Sequence, residues 1–182
     1  MGQPVGFCPF QSVGMEALSR HRKIAKRARK ISKKADIRQI DMVGKEIILK
    51  KIEQIKTLSD ELRELLEIPF EKFIGDFKNI RSAERNFQLI VDMAIDINSQ
   101  IIVEKGKKTP DTYKQSFLEL GELRILPQKL AQSLAVTASL RNILVHEYDF
   151  EEDYKKFYDS AKRSLNPYEE YCRFIYEYAT RK

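Results

Sequence analysis

The chain has 182 residues, enough for one domain with a substantial core, and its 42% hydrophobic and 10% aromatic content excludes wholesale disorder. No apolar run approaches the ~20 residues of a membrane-spanning helix, and Cys8 and Cys172 are too few and too far apart for a disulfide framework or a thiolate metal site. The net charge of +6 is confined to one end: residues 1–41 carry ten Lys and Arg against three Asp and Glu, and residues 42–182 carry the other 23 against 24. The basic balance therefore describes an arm joined to a neutral domain, and it is no evidence that the domain binds nucleic acid. Seven Gly and six Pro are few for a strand-and-turn fold and point to helices.

The arm has two parts. Residues 1–14 hold three Gly, two Pro and no charge, and read as irregular chain. Residues 15–41 are dense in Arg and Lys, with Ala17, Ile24, Ala28 and Ile31 at roughly helical spacing, so a basic surface helix could form there. A solvated tail, a nucleic-acid-binding arm and an Arg-rich transit peptide all fit this composition, as does a native start at Met42 that leaves the arm outside the protein.

From Met42 onward the pattern is helical, and residues 42–182 are expected to form the folded domain. Lys45 to Glu67 puts Ile48, Ile52, Ile55, Leu62 and Leu66 on one stripe, with Ser59 at the missing step. Pro69 ends that helix, because the residue before a proline avoids the helical region. Residues 70–77 read as a short apolar connector. Ile80, Ala83, Phe87, Ile90, Ala94, Ile97 and Ile101 then step by three and four without a break, and Val91, Ile95 and Ile102 widen the stripe to a core-facing width. Gly106 ends this helix.

Thr109, Pro110 and Asp111 restart the chain as N-cap, first helical residue and first-turn acid, for a short helix ending near Gly121. Pro127 opens the next, with Leu130, Leu134, Thr137, Leu140, Arg141 and Leu144 at helical steps and Ala131, Ala135 and Ala138 permitting close approach. A helix over about 151–165 carries Tyr154, Tyr158, Ala161 and Leu165 on one face. Asn166-Pro167 then caps a last helix that buries some of Tyr168, Tyr171, Cys172, Ile175 and Tyr178. No segment alternates as a strand. The expected fold is all-α, an antiparallel bundle of five to six helices.

One segment carries chemistry. The only histidine outside the arm, His146, lies in Arg141-Asn142-Ile143-Leu144-Val145-His146-Glu147-Tyr148. An otherwise apolar helix thus ends with an Arg, an Asn, a His and a Tyr in its last two turns. Asn142 and His146 are four apart and share a face, as do Arg141 and Tyr148, seven apart. Such groups must be paired or open onto a cleft. A capped helix end would satisfy them too, with His146 complementing the helix dipole, Tyr148 bonded within the packing and Arg141 paired with a carboxylate.

The pattern Arg, four residues, His, one residue, Tyr, with Asn after the Arg, resembles the signature of the HEPN superfamily, in particular the HepT-like ribonuclease toxins. Four specified residues at fixed spacing recur by chance in fewer than roughly one in a hundred chains of this length. The order of helices over about residues 44–180 resembles that family as well, whereas the arm has no counterpart in it. The resemblance implies a cytoplasmic toxin of a type VII-like toxin–antitoxin pair that cleaves RNA without a metal or other cofactor, with tRNA or mRNA as the target. It implies Arg141, Asn142 and His146 as catalytic residues: His146 to move protons near neutral pH, Arg141 to clamp phosphate and Asn142 to orient His146 or hydrogen-bond substrate. One His cannot easily serve as both acid and base, so a homodimer that brings two motifs to one cleft is expected as the active unit. The need for a 2′-OH nucleophile selects RNA over DNA. The resemblance also implies a partner, an MntA-like nucleotidyltransferase antitoxin that transfers AMP onto Tyr148.

Other candidates are weaker. Asp92 and Asp96 are four apart but lack the His or Glu that would complete a metal site, so an ion-paired or solvated face is expected. Cys172 reads as core. The C-terminal tyrosines read as packing or interface residues more than as base-stacking ones. Lys105, Lys107 and Lys108 form a small basic loop, solvated or touching RNA phosphate. No phosphate-cradling Gly loop, metal-ligand pair or nucleophile elbow occurs. The alternative to an enzyme is a catalytically silent HEPN module that partners a nucleotidyltransferase; loss of Arg141 or His146 would have favoured it, and neither is lost.

Overall fold

Helical periodicity dominates the sequence, and the computed structural model is built accordingly. It describes residues 42, 44–146 and 151–181, without the side chains of 142–146 and 151–153. Six helices and no strands occur among the described residues. They are α1 (44–67), α2 (Phe70–Ile74), α3 (Phe77–Glu104), α4 (Tyr113–Glu122), α5 (Gln128–His146) and α6 (Glu151–Thr180). Glu46–Lys182 form one compact unit. The expectations for residues 1–41 lie outside the described residues.

The apolar stripes read from the sequence are the core. Ile48, Ile52, Ile55, Leu62 and Leu66 of α1 are buried, as are all ten apolar residues assigned to the stripe of α3. Each buried aliphatic side chain of this kind contributes roughly 1.5–3 kcal/mol, so these stripes dominate the cohesion of the bundle. α1 and α3 are further joined by Lys51 to Asp96 at 2.7 Å and by Asn86 to Glu61 at 2.9 Å. The carbonyls released where Pro69 breaks α1 find partners on α6. The Tyr158 hydroxyl lies 2.8 Å from both the Leu66 and Ile68 carbonyls, and Lys162 donates to Leu66 at 3.2 Å.

Three local readings are corrected. The apolar connector after Pro69 holds a short helix, α2, whose Phe73 is fully buried. α4 starts at Tyr113 and is capped by Thr112, whose hydroxyl accepts from the Gln115 amide at 3.2 Å, so Thr109 is not its cap. As expected, α4 ends near Gly121, at Glu122. A Cβ at Gly121 would come within 3.0 Å of Ala131 Cβ and 2.7 Å of Gln128 Oε1, so glycine permits the close approach of α4 and α5. Finally, residues 151–180 are one helix that runs through Pro167. A proline costs the helix a hydrogen bond. Yet Phe157, Ala161, Leu165, Tyr168, Tyr171, Cys172, Ile175 and Ala179 are buried in a single phase on both sides of it. That continuous buried stripe outweighs the missing bond.

Gly106 does end α3, with φ of 73°. Its amide donates to Val103 at 2.9 Å and the Lys107 amide to Ile102 at 3.1 Å, which satisfies the last carbonyls.

Candidate active site at the end of α5

α5 carries the motif, and neighbouring helices determine what surrounds its first residue. Leu130, Ala131, Leu134, Ala135 and Ala138 bury the inner face of α5. Thr137, one turn before Arg141, is buried among them, and its hydroxyl lies 2.7 Å from the Tyr168 hydroxyl of α6. It also donates to the Leu134 carbonyl at 2.6 Å. Thr137 therefore donates to the helix backbone and accepts from Tyr168, pinning the C-terminal half of α5 to α6.

Arg141 projects between α3 and α4. Its Nε donates to Asp92 Oδ1 at 3.2 Å, and its guanidinium carbon stands 5.4 Å from the centre of the Tyr113 ring. The side chain is only 19% exposed. The Asp92 contact uses one of the five guanidinium N–H groups; the four on the terminal nitrogens have no partner among the described residues. A guanidinium braced on one edge by a carboxylate and on one face by a ring, with its fork free, is suited to holding a phosphate. The two carboxylates with four-residue spacing are thus ion-paired, Asp92 with Arg141 and Asp96 with Lys51. No cluster of metal-ligating side chains occurs among the described residues.

The brace rests on a buried polar chain that sequence reading missed. Tyr171 of α6 donates to Asn98 Oδ1 at 2.8 Å, with the Ala94 carbonyl at 3.1 Å as second acceptor. Asn98 Nδ2 donates to Ser116 Oγ at 3.2 Å, and Ser116 donates to the Tyr113 carbonyl at 2.7 Å. α6, α3 and α4 are joined through side chains that are 0–1% exposed, and the chain ends on the residue whose ring supports Arg141. The usable signal was Asn98 at a core step of α3, where an amide must find partners. Burial pushes the Tyr168 and Tyr171 phenols well above the ordinary tyrosine range and the Cys172 thiol up to about 12, as expected of core groups with no acid–base role.

α5 runs through His146, so Asn142 and His146 share a helix with Arg141. Their side chains, and all of Tyr148, lie outside the described residues. No described helix is long and apolar enough to cross a membrane.

Comparison with known proteins agrees with this architecture. The model of the family "Ribonuclease HepT-like" matches residues 48–175. The tRNA nuclease HepT of Aphanizomenon flos-aquae is 34% identical over 132 residues, covering 72% of this chain and 89% of that protein. The mRNA nuclease HepT of Shewanella oneidensis is 29% identical over 103 residues, covering 57% and 77%. Among solved structures, a tri-AMPylated HEPN toxin of Shewanella oneidensis in complex with MNT antitoxin superimposes with a TM-score of 0.64 at 26% identity, covering 71% of this chain and 96% of that one. With the family pattern matched over most of the bundle and the motif complete in the sequence, this chain belongs to the HepT-like ribonuclease family.

Proposed function

We propose that this protein is a metal-independent endoribonuclease toxin, held in check by a nucleotidyltransferase antitoxin that AMPylates Tyr148. The observation that carries the reading is the Arg141–Asn142–His146–Tyr148 motif, complete in the sequence, with Arg141 braced by Asp92 and Tyr113 and its terminal nitrogens without a partner among the described residues. In the proposed reaction a ribose 2′-OH attacks the adjacent phosphorus. His146 takes the hydroxyl proton as the new P–O bond forms. The bond to the 5′ oxygen breaks, and an imidazolium returns a proton to that leaving oxygen, leaving a 2′,3′-cyclic phosphate and a 5′-hydroxyl. The free edge of Arg141 holds the phosphate and offsets its growing negative charge. Asn142 orients His146 or the substrate.

A homodimer supplies the second histidine. Its support is the outer face of α5, where Val136 is 65% exposed beside Leu140 and Pro167 along a shallow cavity of about 400 Å³. A second copy packed there along a two-fold axis would bring two motif ends together. The antitoxin relation is supported by the solved complexes of similar toxins with MNT and MntA antitoxins. AMP on Tyr148 would add bulk and negative charge two residues from His146, opposing entry of a phosphate.

The test is cleavage of total RNA by the full-length protein and by His146→Ala, each with and without EDTA. The parent should cleave in EDTA and form cyclic phosphate ends, and the variant should lose at least about a hundredfold in rate. Equal cleavage by His146→Ala would refute the assignment, and abolition by EDTA would refute metal independence.

A further inference from the structure

At the opposite end of α5 from the motif lies a cavity of about 750 Å³, walled by Leu123, Ile125, Pro127, Phe174 and Tyr178. It is about 20 Å along the helix axis from Arg141, taking 1.5 Å per residue from Gln128. Three exposed cations line it: Lys105 from the end of α3, Arg124 from the α4–α5 turn and Arg181 from the end of α6. Two carboxylates line it too, but each is engaged by a further cation: Glu122 by Lys107 at 3.5 Å and Glu177 by Arg173 at 3.6 Å. The lining therefore sets three cations against two acids, and both acids are ion-paired with cations outside the lining. The side chains of Arg124 and Arg181 have no ion-pair partner among the described residues. Lys105 stands 5.1 Å over the Tyr178 ring, which holds its ammonium at the rim.

Arg124 breaks a local rule. It occupies the position after α4 where the chain turns left-handed, with φ of 55°, the only such non-glycine among the described residues. Its amide donates to Gly121 at 3.0 Å and the Ile125 amide to Leu120 at 3.0 Å, the helix-ending pattern that glycine serves with least strain. A long cation kept where glycine would fold more easily, and placed on the rim of a cavity with a surplus of cations, points to an anionic ligand.

We infer that this cavity is a second RNA-binding site, which takes a nucleotide of the substrate strand away from the cleaved bond. The inference rests on the ribonuclease reading above. Its volume lies in the range of sites for small ligands of nucleotide size. The apolar walls suit a base or ribose, and Lys105, Arg124 and Arg181 suit the flanking phosphates. At ~3.4 Å per nucleotide a strand crosses the 20 Å gap in about six steps. Substrates shorter than that engage only the motif end, whereas longer ones engage both.

The test uses the full-length protein, so the basic segment 15–41 is the same in every sample. RNA binding is measured with His146→Ala as background, over a salt series, on oligonucleotides of four and sixteen residues. Adding Lys105→Gln, Arg124→Gln and Arg181→Gln should weaken binding of the sixteen-mer at least tenfold and leave the four-mer unchanged. The slope of log K on log salt should become shallower by about 2, at ~0.7 per phosphate contact. Arg124→Gly separates charge from folding: it should keep or raise Tm while weakening the sixteen-mer, the reverse of what a structural role gives. Equal binding of both oligonucleotides before and after the triple change would overturn the inference while leaving the ribonuclease reading intact. So would weakened association with the nucleotidyltransferase at unchanged RNA affinity, which would assign the cavity to a protein partner. Failure of the unsubstituted protein to cleave any RNA would remove the reading on which the inference rests.

Discussion

Replacing Tyr171 by Phe tests the buried chain that supports the motif. The substitution keeps the ring, its edge contacts with Phe117 and Tyr168, and nearly all of its volume. It removes one hydroxyl, which donates to Asn98 Oδ1 at 2.8 Å with the Ala94 carbonyl as second acceptor. Ala94 lies within α3, so its carbonyl keeps an intrahelical partner and loses little. Asn98 Oδ1 has no other partner among the described residues, and Asn98 is 0% exposed, so no water replaces the phenol. The cost is that of an unsatisfied buried acceptor, about 1–3 kcal/mol. For a unit of this size that lowers Tm by about 3–12 °C. The assay is thermal unfolding of the parent, Tyr171→Phe, Asn98→Ala and the double variant. The double variant should fall short of the sum by about 1 kcal/mol, because each single change already breaks the shared bond. A Tm for Tyr171→Phe within about 1 °C of the parent, or strict additivity, would refute the account of α3, α4 and α6 as joined through these side chains.

Three further outcomes are expected. Ser59 sits in the apolar stripe of α1 at 7% exposure, and its hydroxyl has no partner among the described residues; Ser59→Ala should stabilise by about 0.5–1.5 kcal/mol in urea unfolding, and a loss of stability would contradict that. The folded protein holds Cys172, Tyr168 and Tyr171 neutral at pH values where the unfolded chain ionises them. Stability is therefore fully present below about pH 9 and falls as pH rises from there toward 12, by up to ~1.4 kcal/mol per pH unit for each group ionised only when unfolded. A Tm unchanged between pH 7 and 11 would oppose this. We also propose that residues 42–182 fold without the arm; deletion of 1–41 should leave Tm within a few degrees, and a larger drop by calorimetry would tie the arm to the core.

The helical class, the stripe of each helix, the break at Pro69, the end of α3 at Gly106 and the motif at the end of α5 were all legible in the sequence. Each depends on residues within a few turns of one another, so spacing alone carries the information. Tertiary structure decided the rest. Thr109 and Thr112 are both chemically able to cap α4, and the folded chain uses Thr112. Pro167 is a stop signal locally, but the stripe of α6 keeps its phase across it and burial overrides the signal. Asp92, 49 residues away in sequence, becomes the partner of Arg141. Asn98, Ser116 and Tyr171 meet, as do the cations of the cavity, only because the ends of α3, α4 and α6 converge. Pairing across helices depends on which faces pack and at what height along the bundle. That information lies in the sum of all side-chain contacts and in no single window of sequence.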